Sequence, residues 1–274
     1  MKTVLITGTS SGYGKAAAER FLQQGWNVIA TMRKPDPELF AQSERLLVVQ
    51  LDVTDETSIA RAISQGIEAF GQIDVLVNNA GIGLFSALEA TPAATIREIF
   101  ETNTFGVMAV TQAIIPHMRQ RGQGTIVNVT SSVCFAGMPL VAPYAASKFA
   151  IEGFTEALFF ELDTLGVRVK LVEPGYGPGT SFTANGMDRM EGLIPPAYQA
   201  YAGQLMESFA NPGAVTHAEQ VADGIFAAAS DQTDRLRFPA GPDSEYLANS
   251  RWNSTDEQFL SGMRTMLRMK KNEE

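Results

Sequence analysis

The chain has a single cysteine, Cys134, so no disulfide can form within it. That fits a reducing compartment and excludes a disulfide scaffold. Histidine is nearly as scarce. His117 and His217 stand alone, with no HxxxH or CxxC pattern beside them, so no metal site is expected. No apolar run is long enough to span a bilayer. The first residues lead straight into a β pattern at Thr3 to Thr7, without the charged start and cleavage site of a secretory signal. Basic residues number 21 against 30 acidic ones, a net charge of −9, which argues against a broad nucleic-acid or anionic-membrane footprint. Repeats, low-complexity tracts and dividing linkers are missing too. The expectation is one cytoplasmic domain over residues 1–274, whose 45% hydrophobic content can fill a sizeable core.

What is present is an alternation of apolar strands and patterned helices. Strands are expected at Lys2 to Thr7, Trp26 to Met32, Leu46 to Leu51, Ile73 to Val77, Gly124 to Val129, Val167 to Val172 and Leu236 to Phe238. The first, with its β-branched run, reads as a parallel strand buried on both faces. Helices are expected from the glycine-rich turn to about Gln24, over Asp55 to Phe70 closed by Gly71, and from Thr91-Pro92 towards Gly122. Thr91 reads as the N-cap of the last of these, with Pro92 in its first position. Others are expected over Pro143 to Leu165, His217 to Ala229, Ser244 to Ser250 and Thr255 to Met269, with a frayed end at 268–274. Between Tyr176 and Val215 the pattern weakens, and such a segment after the last central strand suits a lid over a substrate.

Chemistry-bearing residues gather where these elements join. Gly8-Thr9-Ser10-Ser11-Gly12-Tyr13-Gly14 lies between a buried strand and a helix. Glycines there let the backbone approach a pyrophosphate, and the helix start offers free N–H groups. After the second strand comes Arg33-Lys34, with no carboxylate until Asp36. An Arg at this turn suits the 2′-phosphate of NADP, whereas an acidic residue would suit the 2′-hydroxyl of NAD. Arg33 is the better clamp and Lys34 the weaker one. Asp52, with Val53 after it, ends the third strand and could reach an adenine edge or cap the next segment. Asn78-Asn79-Ala80-Gly81 ends the fourth, either holding the crevice or making a turn. Asn103 and Gly106 are poor choices for the helix interior in which they fall, so Asn103 is either functional or a tolerated surface residue. Thr130-Ser131-Ser132 places hydroxyls at the carboxyl end of the fifth strand. Tyr144 and Lys148 are four apart on one helical face. A cation beside the phenol should lower its pKa and let the pair move a proton to or from an alcohol or carbonyl oxygen.

These motifs, in this order, resemble the short-chain dehydrogenase/reductase family in its single-domain branch. The resemblance rests on TGTSSGYG, NNAG, the Asn103-Thr104-Phe105-Gly106 run, the serines after the fifth strand, YAASK and Glu173-Pro174-Gly175. It implies an α/β fold, a Rossmann-type doubly wound sheet of about seven mainly parallel strands with helices on both faces. It also implies that Tyr144 is the proton donor and that Lys148 tunes the phenol and holds the nicotinamide ribose. Asn103 is implied to anchor a proton-relay water, and Asn79, Ala80 and Gly81 to line the adenosine and ribose side. The family's usual spacing selects Ser131 as the serine that polarises the substrate, and a variant selects Ser132. After Pro174-Gly175 the family's threonine falls where this chain has Gly179. Thr180, one residue later, is the candidate for the carboxamide contact.

The implied activity is hydride transfer between NADP(H), less readily NAD(H), and a carbonyl or secondary alcohol. The apolar mix of the lid segment suggests a partly apolar small molecule. A homodimer or homotetramer is implied, with the two long central helices as the contact. A nucleotide-sensing protein without turnover is the rival from another class, and the complete Ser-Tyr-Lys set argues against it. A sugar-nucleotide epimerase or dehydratase is the other rival, for whose larger C-terminal substrate domain the chain leaves little room.

Overall fold

A computed structural model describes residues 1–178, 180, 192–210 and 213–267. In chain order its elements are β1 (Thr3–Thr7), α1 (Gly12–Gln23), β2 (Asn27–Met32), β3 (Leu46–Gln50), α2 (Glu56–Phe70), β4 (Val75–Asn78), α3 (Ala93–Phe100), α4 (Gly106–Arg121), β5 (Gly124–Val129), α5 (Ala142–Asp163), β6 (Val167–Pro174), α6 (Pro196–Ala210), α7 (Ala218–Ser230), β7 (Arg237–Ala240), α8 (Pro242–Trp252) and α9 (Asp256–Met266). The strands form one sheet in the order β3-β2-β1-β4-β5-β6-β7, every pairing parallel. Strand order reverses between β1 and β4. In such a Rossmann-type sheet the crevice outside the strands' carboxyl ends at that reversal is where ligands bind.

The apolar runs lack polar alternation because both faces of the sheet are covered. Val4 and Ile6 of β1 face a core with Ala17, Ala18 and Phe21 of α1 and Val221 and Ile225 of α7. Leu5, between them, faces the opposite core with Ile59 and Ile63 of α2, Val110 and Ile114 of α4, and Leu158 and Leu162 of α5. Side chains alternate along a strand, so each run serves both layers. The helix stops follow their sequence signals. Asp55 accepts the Thr57 amide at 2.9 Å as the cap of α2, and Gly71 ends that helix in a left-handed conformation at φ 77°.

The expected helix from Thr91 to Gly122 is not continuous. Pro92 rather than Thr91 is its cap, because the Thr91 hydroxyl turns back to Ser86 Oγ and the Ala87 carbonyl, 2.8 Å from each. A π turn over Glu101–Phe105 separates α3 from α4. Single π turns mark functional sites more often than ordinary helix does. Gly106 begins α4 for a packing reason, since a Cβ there would stand 2.7 Å from Val53 Cγ2. The segment expected as an unpatterned lid contains α6, whose Ala202 and Leu205 are buried. The rest of that segment is described only in part, and the expected frayed end at 268–274 lies outside the described residues. No helix among the described residues is long and apolar enough to cross a membrane.

Candidate active site

The glycine-rich turn between β1 and α1 is built around close backbone approaches. Gly8 has φ +72°, and a Cβ on it would stand 2.8 Å from Ala80 Cα. A Cβ on Gly14 would stand 2.3 Å from the Gly8 carbonyl oxygen. Asn79 Nδ2 donates to the carbonyls of Thr7 at 2.9 Å and Gly8 at 3.0 Å, and Thr7 Oγ1 accepts the amides of Asn79 and Ala80 at 3.0 Å each. Asn79 thus clamps the turn to the end of β4. Asn78 points the other way, donating to Thr111 Oγ1 at 2.9 Å and Asn128 Oδ1 at 2.8 Å. α1 starts at Gly12 with no side-chain cap from Ser11 and no acidic residue in its first turn. Its free amides and partial positive charge therefore fit an anionic group such as a pyrophosphate.

A cavity of about 1060 Å³ runs from this turn across the carboxyl ends of the sheet. It is lined by Gly8, Ser10, Ser11, Gly12, Tyr13 and Gly14, by Arg33, Asp52 and Val53, by Asn79, Ala80 and Gly81, and by Ser131, Ser132, Tyr144, Lys148, Pro174, Gly175 and Thr180. Of the expected site residues, Asn103 and the weaker clamp Lys34 do not line this space, and the others border it together. Arg33 is exposed at the end of β2, and its side chain makes no ion pair among the described residues. Asp52 Oδ1 accepts the amide of Thr54 at 3.0 Å and its hydroxyl at 2.8 Å, so this carboxylate caps its own turn. Tyr13 donates to the Gly175 carbonyl at 3.3 Å, and Thr180 Oγ1 donates to the Gly177 carbonyl at 2.8 Å. The Tyr13 bond joins the strand-six side of the cavity to the glycine turn, and the Thr180 bond lies within the loop after β6.

Ser131, Tyr144 and Lys148 meet at the floor. Ser131 and Tyr144 are hydrogen-bonded through their side chains. Lys148 Nζ lies 6.0 Å from the Tyr144 ring centroid and donates to the Val129 carbonyl at 3.0 Å. The expectation that Lys148 lowers the phenol pKa is not met. Burial pushes the Tyr144 phenol up, and the Ser131 hydrogen bond pulls it only part of the way back. Burial also pulls the Lys148 ammonium down, to about 8. In a low-dielectric pocket burial shifts both groups towards their neutral forms. Tyr144 is therefore held as an acid, the form a proton donor needs.

Asn103 is fully buried, not a surface residue. Its Oδ1 accepts the Ile82 amide at 2.8 Å, and its Nδ2 lies 2.9 Å from the Ile82 carbonyl and 3.2 Å from Ser147 Oγ. The π turn places this amide across the gap between the loop after β4 and α5. These three bonds occupy its Nδ2 and one lone pair of its Oδ1, and they fix the loop at Gly81. A Cβ on Gly81 would stand 3.3 Å from Asn103 Oδ1 and 3.5 Å from Lys148 Nζ.

The short chain dehydrogenase family model matches residues 2–190. The chain belongs to the short-chain dehydrogenase family. An uncharacterized oxidoreductase of Bacillus subtilis, YusZ, is 36% identical over 252 residues, 88% of this chain and 89% of that protein. A 3-ketodihydrosphingosine reductase of Bacteroides thetaiotaomicron is 42% identical over 182 residues, 66% of each chain. Among solved structures, a short-chain dehydrogenase from Streptomyces avermitilis is similar with a TM-score of 0.80 at 29% identity, covering 98% of both chains. ElxO with NADP bound gives a TM-score of 0.71 at 29% identity, over 87% of this chain and 97% of that one. A 3-ketoacyl-(acyl-carrier-protein) reductase from Brucella melitensis complexed with NADH gives 0.72 at 26%, over 87% and 96%. The chain is an oxidoreductase of this family, and a nicotinamide dinucleotide is the cofactor class.

In this short-chain dehydrogenase the far wall of the cavity is apolar, as the mix of residues 176–215 suggested, but which residues build it was not legible in the sequence. Leu84, Phe85, Met138, Val141, Met206 and Phe209 line it. Phe209 of α6 stacks on Tyr176 with ring centroids 5.2 Å apart and meets Phe85 edge-on at 6.5 Å. Leu140, just before α5, has φ 59°, unusual for a residue with a Cβ. Its carbonyl accepts the Ser86 amide at 2.6 Å, and its side chain joins Phe85 and Leu205 in one cluster. Strain of this kind persists where surrounding structure imposes it, often beside a site. Nothing in the local sequence signals it.

Proposed function

We propose that this dehydrogenase transfers hydride between NADP(H) and a carbonyl or secondary alcohol on a partly apolar small molecule. One observation carries the reading: the hydrogen-bonded Ser131–Tyr144 pair, with Lys148 beside it, borders the cavity that begins at the glycine turn. Gly8, Gly12 and Gly14 with the start of α1 would hold the pyrophosphate, Arg33 the 2′-phosphate, and Lys148 the ribose near the nicotinamide. Reduced nicotinamide, when bound, supplies the hydride that reaches the carbonyl carbon. Ser131 then orients the substrate oxygen, and Tyr144 gives that oxygen its phenolic proton. Lys148 returns a proton to the phenol. The apolar wall of Phe85, Met206 and Phe209 supports a hydrophobic body on the substrate and excludes water from the reacting oxygen. Protein architecture supplies position and proton traffic, while hydride chemistry belongs to the cofactor. The cytoplasm is the proposed compartment, where Cys134 stays reduced.

The test is NADPH oxidation against panels of ketones, aldehydes and quinones, with short and long aliphatic members of each. Turnover by wild type, lost by ~10²–10⁴-fold in Tyr144→Phe, is the expected result. A folded wild type that binds NADPH and reduces none of them would point to the nucleotide-sensing reading.

A further inference from the structure

Behind Tyr144 and Lys148 lies a buried set of charged groups that the proton transfer just described does not use. Tyr144, Lys148 and Glu152 stand at four-residue spacing on α5, one face of one helix. Lys148 and Glu152 are only 5% and 6% exposed. Two consecutive residues at the end of β5 hold the pair: the Val129 carbonyl accepts Lys148 Nζ at 3.0 Å, and Thr130 Oγ1 donates to Glu152 Oε1 at 2.6 Å. The other oxygen of Glu152 is paired with Arg237 Nη1 from β7. Arg237 also reaches Glu173 Oε1 of β6 at 3.3 Å and Glu156 Oε1 of α5 at 2.5 Å.

We propose that Glu152 is a positioning residue for Lys148: its carboxylate, fixed by Thr130 and Arg237, keeps a proton on the Lys148 amine. This rests on the reading of Tyr144 and Lys148 as the proton-transfer pair. Among the described residues, the groups that face Lys148 from the surrounding elements are few. Tyr144 precedes it on α5, Cys134 stands on the turn after β5, and Asn103 of the π turn is uncharged. Burial first, then the Glu152 charge, pushes the Cys134 thiol up, so it stays neutral at ordinary pH. Glu173 is held protonated at neutral pH by burial and by Glu152. Glu152 is thus the anion that acts on the amine. Burial works to strip Lys148 of its proton, and Cys134 and then Glu152 work to keep it there; with that thiol neutral, Glu152 is the partner that remains. In a low dielectric such an opposing charge is effective. Arg237 sets how much of that charge Lys148 feels.

The test reads the Lys148 proton directly. Protein carrying [13Cε]lysine is titrated by NMR, and the Lys148 resonance is assigned by its loss in Lys148→Arg. In Glu152→Gln the midpoint is expected to fall by about half a unit or more, less than the one to three units of an uncompensated partner because Arg237 offsets the charge. Glu152→Asp should recover part of the shift. An unchanged midpoint in folded Glu152→Gln overturns the proposal, because a strut that only tied α5 to β7 would move stability and not this midpoint. Should that variant fail to fold, Arg237→Gln supplies the second arm. It frees Glu152 to act on Lys148, so the midpoint must rise, and any other result overturns the proposal. None of these readouts needs turnover. A wild type inactive on every carbonyl would sink the functional reading and leave the titration as it stands. With an active enzyme, the pH profile of kcat/KM should shift in parallel.

Discussion

Ser131 is hydrogen-bonded to the Tyr144 phenol, and Ser132, next in the chain, is not part of that pair. Ser131 Oγ also accepts the Val133 amide at 3.3 Å, which fixes the hydroxyl at the start of the turn after β5. The expected difference is sharp. Ser131→Ala should lower kcat/KM by ~10²-fold or more, because a polarising hydrogen bond at the reacting oxygen is lost. Ser132→Ala should stay within a few-fold of wild type. Steady-state kinetics of both variants with one carbonyl substrate settle the choice, and a severe loss in Ser132→Ala alone would reverse it.

The glycine turn makes a stability prediction. At Gly14 a methyl group would meet the Gly8 carbonyl oxygen at 2.3 Å and Asn79 Nδ2 at 2.4 Å. Those atoms are backbone and its clamp, so they cannot swing aside. Gly14→Ala should cost ~1–3 kcal/mol by overpacking. Gly262→Ala, where a Cβ meets nothing within 4 Å on an exposed turn of α9, should gain about 0.5–1 kcal/mol. Denaturant unfolding of the two variants tests the contrast. Equal stability of both would mean that the turn can relax.

How far the sequence carried is clearest at these same places. β5 matched its expected limits, because a β-branched run between glycine and a hydroxyl-bearing loop has one local reading. Asp55 and Gly71 likewise announced the limits of α2. The glycine turn, Tyr144 and Lys148 could be found because their spacing is short. Asn103 stood out as a poor helix residue, but its partner Ile82 lies 21 positions away, so the π turn could not be foreseen. Arg237 meets Glu152 across 85 positions, and no local period encodes that pairing. α6 was missed because its small and apolar residues are spread around the helix instead of forming one stripe.

Glu173 predicts a dependence of stability on pH. Its carboxyl is fully buried, and burial first, then the charge of Glu152, pushes it up to about 8 against the pull of Arg237 and the Phe238 amide. The ordinary value is 4.5. Between those values the folded chain keeps a proton that the unfolded chain has released. This contribution is fully present below pH 4.5 and is lost as pH rises towards 8. Glu173→Gln stays neutral throughout. Its Tm should therefore rise relative to wild type by about 3 °C or more between pH 5 and 8. A constant Tm difference across that range would contradict the shift.

Assembly is the next expectation. Phe105, Phe149 and Phe160 are 53%, 48% and 73% exposed, the first at the start of α4 and the others on α5. Apolar rings left in water on the two central helices suit a contact between copies of the chain. Sedimentation at micromolar concentration should give a dimer or tetramer, and Phe149→Glu should weaken it. A wild-type species of 29.6 kDa would rule the assembly out.

The cofactor preference rests on one exposed side chain. Arg33 borders the cavity at the end of β2, and Met32 stands where a carboxylate for the 2′-hydroxyl would be needed. Asp52, the acidic residue bordering the same region, has one carboxylate oxygen bound by the amide and hydroxyl of Thr54. A guanidinium matches a phosphate as a fork, and such charge-assisted bonds contribute about 1.5–3 kcal/mol. At ~1.4 kcal/mol per decade that is roughly one to two decades in favour of NADPH over NADH. Lys34, an exposed point charge on a flexible stem, should add less. Screening at this exposed turn means that the preference should shrink at high salt. Measurement of kcat/KM with both dinucleotides, in wild type and Arg33→Ala, is the check. Wild type should favour NADPH, and the variant should lose most of that preference by losing activity with NADPH while keeping its rate with NADH. An unchanged ratio would place the phosphate contact elsewhere, and a wild-type preference for NADH would overturn the assignment, leaving Arg33 as a solvated residue at the rim.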